Sequence, residues 1–120
     1  MSLNKFQFIG NLTREVELRY TPDQKPVATI DIAVNDSYKD KSGEKQENVN
    51  YFRLTAWGKQ AENHAEYLGK GSPIFAEGHL ENDDYEKNGQ KVYGFKFIVD
   101  SIQYLGSKKG GKEKGGEFTV

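Results

Sequence analysis

One stretch of nine residues, 49–57, carries flat rings and a guanidinium on the same side of the chain. It reads Val-Asn-Tyr-Phe-Arg-Leu-Thr-Ala-Trp, and its polarity alternates with a period of two, which predicts a β-strand with two different faces. One face offers apolar side chains that suit a packed interior: Phe52, Leu54 and Ala56. The opposite face offers larger, flat or polar side chains: Val49, Tyr51, Arg53, Thr55 and Trp57.

A tyrosine, an arginine and the only tryptophan of the chain on one face can together hold an unpaired nucleobase. Every base has a π-face that stacks on an aromatic ring, and the phosphate attached to that base attracts a guanidinium. The same rings could instead fill a second core or a contact between subunits. The strand alone leaves both interpretations open, so the rest of the chain has to decide between them.

The composition limits the classes of protein to which this chain can belong. A length of 120 residues with 35% hydrophobic residues predicts one domain with a single small core. The absence of cysteine excludes a disulfide framework and a thiolate metal site. No apolar run approaches the ~20 residues of a membrane span, and residues 1–5 lack the apolar stretch of a signal peptide. We therefore expect a soluble, cytoplasmic protein.

The charge balance does not by itself indicate a nucleic-acid binder, because the net charge is −1. Residues 1–106 carry 13 Lys and Arg against 16 Asp and Glu, a net charge of −3, and residues 107–120 carry a net charge of +2. Binding to nucleic acid would therefore need a local track of basic side chains, and stacking would have to contribute more of the affinity.

The flanking sequence predicts the elements that position this strand. Five extended segments are expected, and they cover residues 4–12 (with an extended continuation over 15–20), 27–34, 49–57, 74–81 and 92–105. Between the third and fourth, Ala61, Ala65 and Leu68 have helical spacing, which predicts one short amphipathic helix over 58–68. Five antiparallel strands with a single helix between strands 3 and 4 are typical of an all-β OB-fold, a five-stranded Greek-key barrel that binds oligonucleotides or oligosaccharides.

Two hairpins are predicted to project from the barrel. The first follows Tyr38 and contains the polar loop 39–46, whose lysines fit an ordinary solvated loop as well as a binding surface. The second turns at Asn88-Gly89, the strongest short hairpin signal, and makes a β-ribbon that carries Tyr85. In the strand before this ribbon, Gly78 predicts a bulge or sharp bend of the kind that closes a small barrel.

Metal and catalytic sites find little support in the residue pattern. His64, expected on the helix surface, and His79, in the next strand, have no partners at ligand spacing. Asp83, Asp84 and Glu86 could hold a cation in a nuclease, but adjacent residues of a strand point to opposite faces. We therefore expect no metal, no cofactor and no enzymatic activity.

Several short motifs occur in an order and at a spacing that resemble bacterial single-stranded DNA-binding proteins. The resemblance covers about residues 4–105 and rests on Asn4-Lys5 with Ile9-Gly10-Asn11-Leu12, Glu17-Leu18-Arg19-Tyr20-Thr21-Pro22, Gly58-Lys59-Gln60-Ala61-Glu62, Glu66-Tyr67-Leu68, Lys70-Gly71-Ser72 and Glu77-Gly78-His79-Leu80. It implies an OB-fold homotetramer, without catalytic activity, that binds single-stranded DNA regardless of sequence in replication, recombination or repair. The implied partners are single-stranded DNA, further copies of the chain, and replication or repair proteins near the nucleoid.

The resemblance also implies roles for individual residues. Base stacking falls to four aromatic residues: Tyr38, Tyr51, Trp57 and Tyr85. Phosphate contacts fall to six basic residues: Lys5, Lys39, Lys41, Arg53, Lys59 and Lys70. Phe52 matches a position near the subunit contact rather than the DNA.

The chain departs from the family pattern in two places. Many members carry basic residues just before the position of Tyr85, whereas this chain has Glu81-Asn82-Asp83-Asp84. Many members also end in an acidic tail with an apolar tip. Here the binding domain, 1–105, is followed by a Gly- and Lys-rich segment, 106–120, that we expect to be disordered. The acidic ribbon favours the alternative of an OB-fold accessory factor of replication that binds proteins and has weak affinity for DNA.

Overall fold

Residues 1–106 are described by the computed structural model, and they contain eight strands and one helix. The elements run in the order β1 (Phe6–Leu12), β2 (Glu17–Tyr20), β3 (Pro26–Lys39), β4 (Lys45–Trp57), α1 (Lys59–Tyr67), β5 (Pro73–Asn82), β6 (Tyr85–Lys87), β7 (Gln90–Val92) and β8 (Phe95–Tyr104). Beyond residue 106, the segment expected to be disordered lies outside the described residues. No helix within 1–106 is long and apolar enough to cross a membrane.

Five of the strands close into a barrel. Their order is β1-β5-β8-β4-β3, and β3 returns to β1 through the pairs Asn11–Ala33 and Leu12–Ile32. The β4–β8 pair is parallel, and the other barrel pairs are antiparallel. Strand β2 lies beside β3 at the edge of the same sheet. Because α1 separates the third and fourth barrel strands of the chain, the predicted all-β OB-fold with one short helix is confirmed.

The core sits inside this barrel and follows the alternation of the strands. Fully buried apolar side chains come from β3, β4 and β5: Ala28, Ile30, Ile32, Leu54, Ala56, Ile74 and Ala76. Helix α1 adds Ala61, and Leu68 follows at its C-terminal end. Burial of one large aliphatic side chain stabilises the fold by about 1.5–3 kcal/mol. The apolar face of β4 therefore packs inside the barrel, and the opposite face points outward.

A cluster of phenylalanine rings extends the core. Phe52 of β4 stacks on Phe8 with 4.3 Å between ring centroids, and Phe97 of β8 meets both rings edge to face at 5.5 and 5.6 Å. Phe6 joins them from β1. Edge-to-face and offset pairs of this kind stabilise by about 0.5–1.5 kcal/mol beyond the area that they bury, so the cluster provides a rigid base under the neighbouring surface.

The ribbon after β5 differs in part from the prediction. It turns at Asn88 and Gly89, whose φ angles are 52° and 79°, and the predicted projecting ribbon is confirmed as β6 and β7. The prediction of one continuous strand over 92–105 is wrong, because β8 begins only at Phe95. Gly94 instead closes the base of the ribbon: its N–H donates to Asp84 Oδ1 and its carbonyl accepts from the N–H of Asp83.

The predicted irregularity at Gly78 is present, and the extra residue lies on the partner strand. Pairing shifts from Glu77–Ser101 to Gly78–Val99, which leaves Asp100 of β8 unpaired. A Cβ atom on residue 78 would lie 1.8 Å from the carbonyl oxygen of Ile98. Only glycine allows β5 and β8 to approach this closely where the barrel bends.

His64 is buried, so its predicted position on the helix surface is wrong. Only 4% of the residue is exposed, because position 64 is one helical turn after Ala61 and shares its buried face. Its Nδ1 lies 2.7 Å from the Tyr104 hydroxyl, and its Nε2 lies 3.0 Å from Gln60 Oε1. The histidine therefore anchors α1 to the barrel strand β8.

Candidate nucleic-acid interface

The predicted aromatic face of β4 is on the outside of the barrel. Tyr51 is 71% exposed and Trp57 is 39% exposed, whereas Leu54 and Ala56 on the opposite face are fully buried. The two rings therefore do not form a second core within residues 1–106. Alternation along the strand produces this arrangement, since the apolar face is taken up by the barrel interior.

A groove of about 590 Å³ runs along this face. Its central wall is the outward face of β4, with Tyr51, Arg53 and Trp57. The flanking elements add further side chains: Glu17, Arg19, Thr29, Asp83, Phe95 and Lys96. A second hollow of about 420 Å³ shares Tyr51 and Arg53 with the groove, so Tyr51 stands between two concave surfaces. A flat ring between two hollows that each contain arginine matches the chemistry of a nucleotide, which has a base and a phosphate.

One carboxylate organises the basic side chains beside Tyr51. Arg53 Nε lies 2.8 Å from Asp31 Oδ1, and its Nη2 lies 3.1 Å from Oδ2. Arg14 Nε lies 3.3 Å from the same Oδ2 atom. Hydrogen bonding from Arg53 is the main cause that lowers the pKa of Asp31. Two guanidinium groups around one carboxylate leave a single net positive charge and hold Arg53 in a fixed orientation.

The other five predicted phosphate contacts do not line this groove. Lys5 forms an ion pair with Glu77 at 3.0 Å on the sheet of β1 and β5. The remaining four are exposed at the β3–β4 hairpin, at the start of α1 and in the loop that follows the helix: Lys39, Lys41, Lys59 and Lys70. Of the six predicted residues, Arg53 is the one that lines the groove.

The two outlying aromatic rings are exposed on separate projections. Tyr38 is 49% exposed near the end of β3, and Tyr85 is 56% exposed at the start of β6. The first projection is longer than predicted, because β3 and β4 stay paired as far as Lys39–Lys45. Asp40 stabilises its turn by accepting hydrogen bonds from the N–H groups of Ser42 and Glu44. The groove and the two projections therefore present exposed rings at three places on the molecule.

Phe52 and the acidic ribbon residues have defined surroundings. Phe52 is half-buried in the phenylalanine cluster, and its role in a subunit contact stays a prediction.

On the ribbon, Asp84 accepts a hydrogen bond from Gly94 N–H at 3.1 Å and lies 3.9 Å from Lys91 Nζ. Across 1–106, no group of three or more His, Asp or Glu side chains is arranged to hold a metal ion. Asp84 thus has a structural partner at the ribbon base.

Sequence reasoning missed several residues of the two concave surfaces, among them Arg14, Arg19, Phe95 and Lys96. The signal for Arg19 was available, because residues 15–20 alternate with Glu17 and Arg19 on one face. Arg19 lies opposite Val27, which in turn lies opposite Trp57. Phe95 and Lys96 reach the groove through the parallel pairing of β8 with β4, which no local pattern predicts.

Comparisons with known proteins agree with this geometry. The model of the single-strand binding protein family matches residues 3–105. The single-stranded DNA-binding protein of Bacillus cereus is 38% identical over 117 residues, which cover 97% of this chain and 68% of that protein. Single-stranded DNA-binding protein A of Bacillus subtilis is also 38% identical, over 97% of this chain and 67% of its own.

Solved structures have the same fold. The single-stranded DNA-binding protein of Thermus aquaticus superposes with a TM-score of 0.75 at 36% identity, and the match spans 86% of this chain and half of that one. A complex of the Plasmodium falciparum protein SSB with single-stranded DNA has a TM-score of 0.76 at 23% identity, over 88% of this chain and 96% of the other, a likeness of fold alone. From the extent of the family match and the identity to the Bacillus proteins, the chain belongs to the single-strand binding protein family.

Proposed function

We propose that this chain binds single-stranded DNA without sequence preference and protects it during replication, recombination or repair. The observation that carries the proposal is the groove on β4, where Tyr51 and Trp57 are exposed beside Arg53. Bases of any identity can stack on these rings because every base has a π-face. The membership in the single-strand binding protein family supports the same function.

The mechanism combines stacking with contacts to phosphates. Tyr51 and Trp57 take bases in the groove, and Tyr38 and Tyr85 take bases on the two projections. Six basic residues neutralise the phosphates along the path: Lys5, Lys39, Lys41, Arg53, Lys59 and Lys70. Each stacked base contributes roughly 1–3 kcal/mol. Two stacks therefore outweigh the repulsion from the net charge of −3 on residues 1–106, since charges more than about 10 Å apart are screened at 0.1 M salt.

The protein acts as a scaffold in this proposal, without catalytic chemistry or a cofactor. It assembles as a homotetramer in which Phe52 lies near a subunit contact, and it works in the cytoplasm on exposed nucleoid DNA. Replication and repair proteins are further partners. The two Bacillus relatives are named for binding single-stranded DNA, and this supports the common part of the proposal.

A fluorescence titration with oligo-dT tests the proposal at two salt concentrations. Trp57 is the only tryptophan, so its emission reports on one position of the groove. We expect quenching that saturates with oligo-dT and weaker binding at the higher salt concentration. No quenching and no binding at the lower salt concentration would contradict the proposal and favour an accessory factor that binds proteins through the same barrel.

A further inference from the structure

Phe95 is a large apolar side chain that the fold leaves at the surface. It is 61% exposed, it is the first residue of β8, and it lines the groove on the side opposite β2. Its ring meets Phe97 edge to face, with 5.8 Å between centroids and an angle of 85°. Phe97 in turn packs in the phenylalanine cluster. The ring is thus supported in one position without being covered, which reduces the entropy lost when a ligand stacks on it.

Lys96, the next residue of β8, brings a positive charge to the same groove. In the parallel pair of β4 and β8, Leu54 lies opposite Phe97. Arg53 comes just before Leu54 and Lys96 just before Phe97, so the two basic residues lie at the same level on neighbouring strands. Both side chains line the groove. Arg53 is held by Asp31, whereas the ion pairs of the described chain include none with Lys96. The ammonium of Lys96 can therefore bind a phosphate without first breaking an ion pair with a carboxylate.

The charges on this side of the groove determine how a nucleotide would lie. Asp83 also lines the groove, and its N–H is bonded to the carbonyl of Gly94, the residue before Phe95. A carboxylate there repels a phosphate, whereas the uncharged face of Phe95 accepts a base. The favoured arrangement has a base over Phe95 and its phosphate toward Lys96.

We propose that Phe95 and Lys96 form a further binding position for single-stranded DNA, in which the ring stacks on a base and the ammonium contacts the adjacent phosphate. This position joins the groove of β4 to the ribbon that bears Tyr85, because β8 starts where the base of the ribbon closes. The inference rests on the proposed function and adds contacts from β8, on a second side of the groove.

The test titrates oligo-dT into the full chain and follows the emission of Trp57. Phe95→Leu removes the ring and keeps an apolar side chain against Phe97, so the barrel stays folded. We expect it to weaken binding about five-fold or more, the effect of losing one stacked base, with unchanged quenching at saturation. Tyr93→Ala is the matched control: Tyr93 is 75% exposed two residues away and does not line the groove, so its loss leaves the affinity unchanged.

Lys96 is tested through the salt dependence of binding. Lys96→Gln is expected to reduce the slope of log K against log salt concentration by about 0.7, the value for one phosphate contact on a single strand, and Lys96→Arg is expected to restore it. If Phe95→Leu and Lys96→Gln bind with the parental affinity and slope while Trp57 is still quenched, this inference is wrong and the proposed function stands. If oligo-dT neither binds nor quenches the parent chain, the proposed function fails and this position fails with it.

Discussion

At the scale of single residues, Tyr51 has the environment that a stacking platform requires. It is 71% exposed and stands between the two concave surfaces, with Arg53 beside it in both. A tyrosine ring in this position contributes little to the stability of the folded protein, because most of its surface faces solvent. Its removal should therefore affect ligand binding much more than it affects the free energy of unfolding.

Tyr51→Ala tests this separation. We expect it to weaken oligo-dT binding several-fold or more, since one stacked base contributes roughly 1–3 kcal/mol, and to change the midpoint of urea unfolding little. Trp57→Ala should weaken binding by a similar amount. Tyr51→Phe keeps the ring and should bind like the parent. Parental affinity in a folded Tyr51→Ala protein would show that bases do not stack there.

At the same scale, Asp31 controls the positive charge of the second hollow beside Tyr51. Its carboxylate binds Arg53 and Arg14 together, so it orients them and also cancels part of their charge. These two effects have opposite consequences for the affinity of the protein for a polyanion. The loss of charge should dominate the binding affinity, because the neutral amide of asparagine still accepts hydrogen bonds from a guanidinium.

Asp31→Asn is therefore expected to tighten oligo-dT binding about five-fold at low salt and to steepen the salt dependence. It should also reduce the free energy of unfolding by at most about 1 kcal/mol, because the ion pairs that are lost have exposed arginine partners. Glu66→Gln makes the same change of net charge on the exposed side of α1 and should leave binding unchanged. Weaker binding by Asp31→Asn would mean that orientation of Arg53 matters more than charge.

At the scale of elements, α1 is held to the barrel by a buried polar network. Gln60 Nε2 donates to the Val99 carbonyl, which turns Gln60 Oε1 toward His64 Nε2. That nitrogen must then carry the proton, and Nδ1 accepts from the Tyr104 hydroxyl. Burial lowers the pKa of His64 to about 4, and burial raises the pKa of Tyr104 to about 12, so both groups are neutral at pH 7.

This network predicts a specific loss of stability in acid. Between pH 6.5 and 4 the unfolded chain binds a proton at His64 that the folded chain does not, so the free energy of unfolding should fall as the pH falls, by about 3 kcal/mol in total. His64→Gln, compared with the parent by urea unfolding across this range, should remove that part of the slope. His79 acts in the opposite sense, because the hydrogen bond with Glu81 raises its pKa, and it cancels in the comparison. Parallel curves for the two proteins would contradict the assignment.

At the scale of the whole molecule, binding has to occur on a surface that is negative overall. Residues 1–106 carry a net charge of −3, and the concave surfaces on β4 mix basic and acidic side chains. The basic ones are Arg14, Arg19, Arg53 and Lys96, and the acidic ones are Glu17, Asp31 and Asp83. Few phosphates are then neutralised in the groove, and stacking has to contribute most of the affinity.

A shallow salt dependence follows for an oligo-dT that occupies the two concave surfaces of one chain. With at most four basic groups and about −0.7 for each phosphate contact, the slope of log K against log salt concentration should lie between about −1 and −3. A duplex of the same length should bind far more weakly, because its bases are not free to stack. A slope steeper than about −5, or equal affinity for the duplex, would show that charge rather than stacking dominates.

Much of the structure of this protein could be predicted from the sequence alone, because apolar and polar side chains recur with a regular period. Alternation along 49–57 determined that Tyr51 and Trp57 face outward while Leu54 and Ala56 face the core, because a strand has only two faces and one must be buried. Two other features were also predictable from neighbouring residues: the turn at Asn88-Gly89 from its residue types, and the single helix between the third and fourth barrel strands from helical spacing.

Only the tertiary structure decided which distant residues share the two concave surfaces. Asp31 faces Arg53 because β3 and β4 pair in one register, and Phe95 and Lys96 approach β4 only when the barrel closes. His64 was assigned to the wrong side of α1, because its polarity favoured the surface while its partners, Tyr104 and the Val99 carbonyl that orients Gln60, come from β8. Local patterns determine the direction in which a side chain points, whereas contacts between distant strands depend on registers that barrel closure selects.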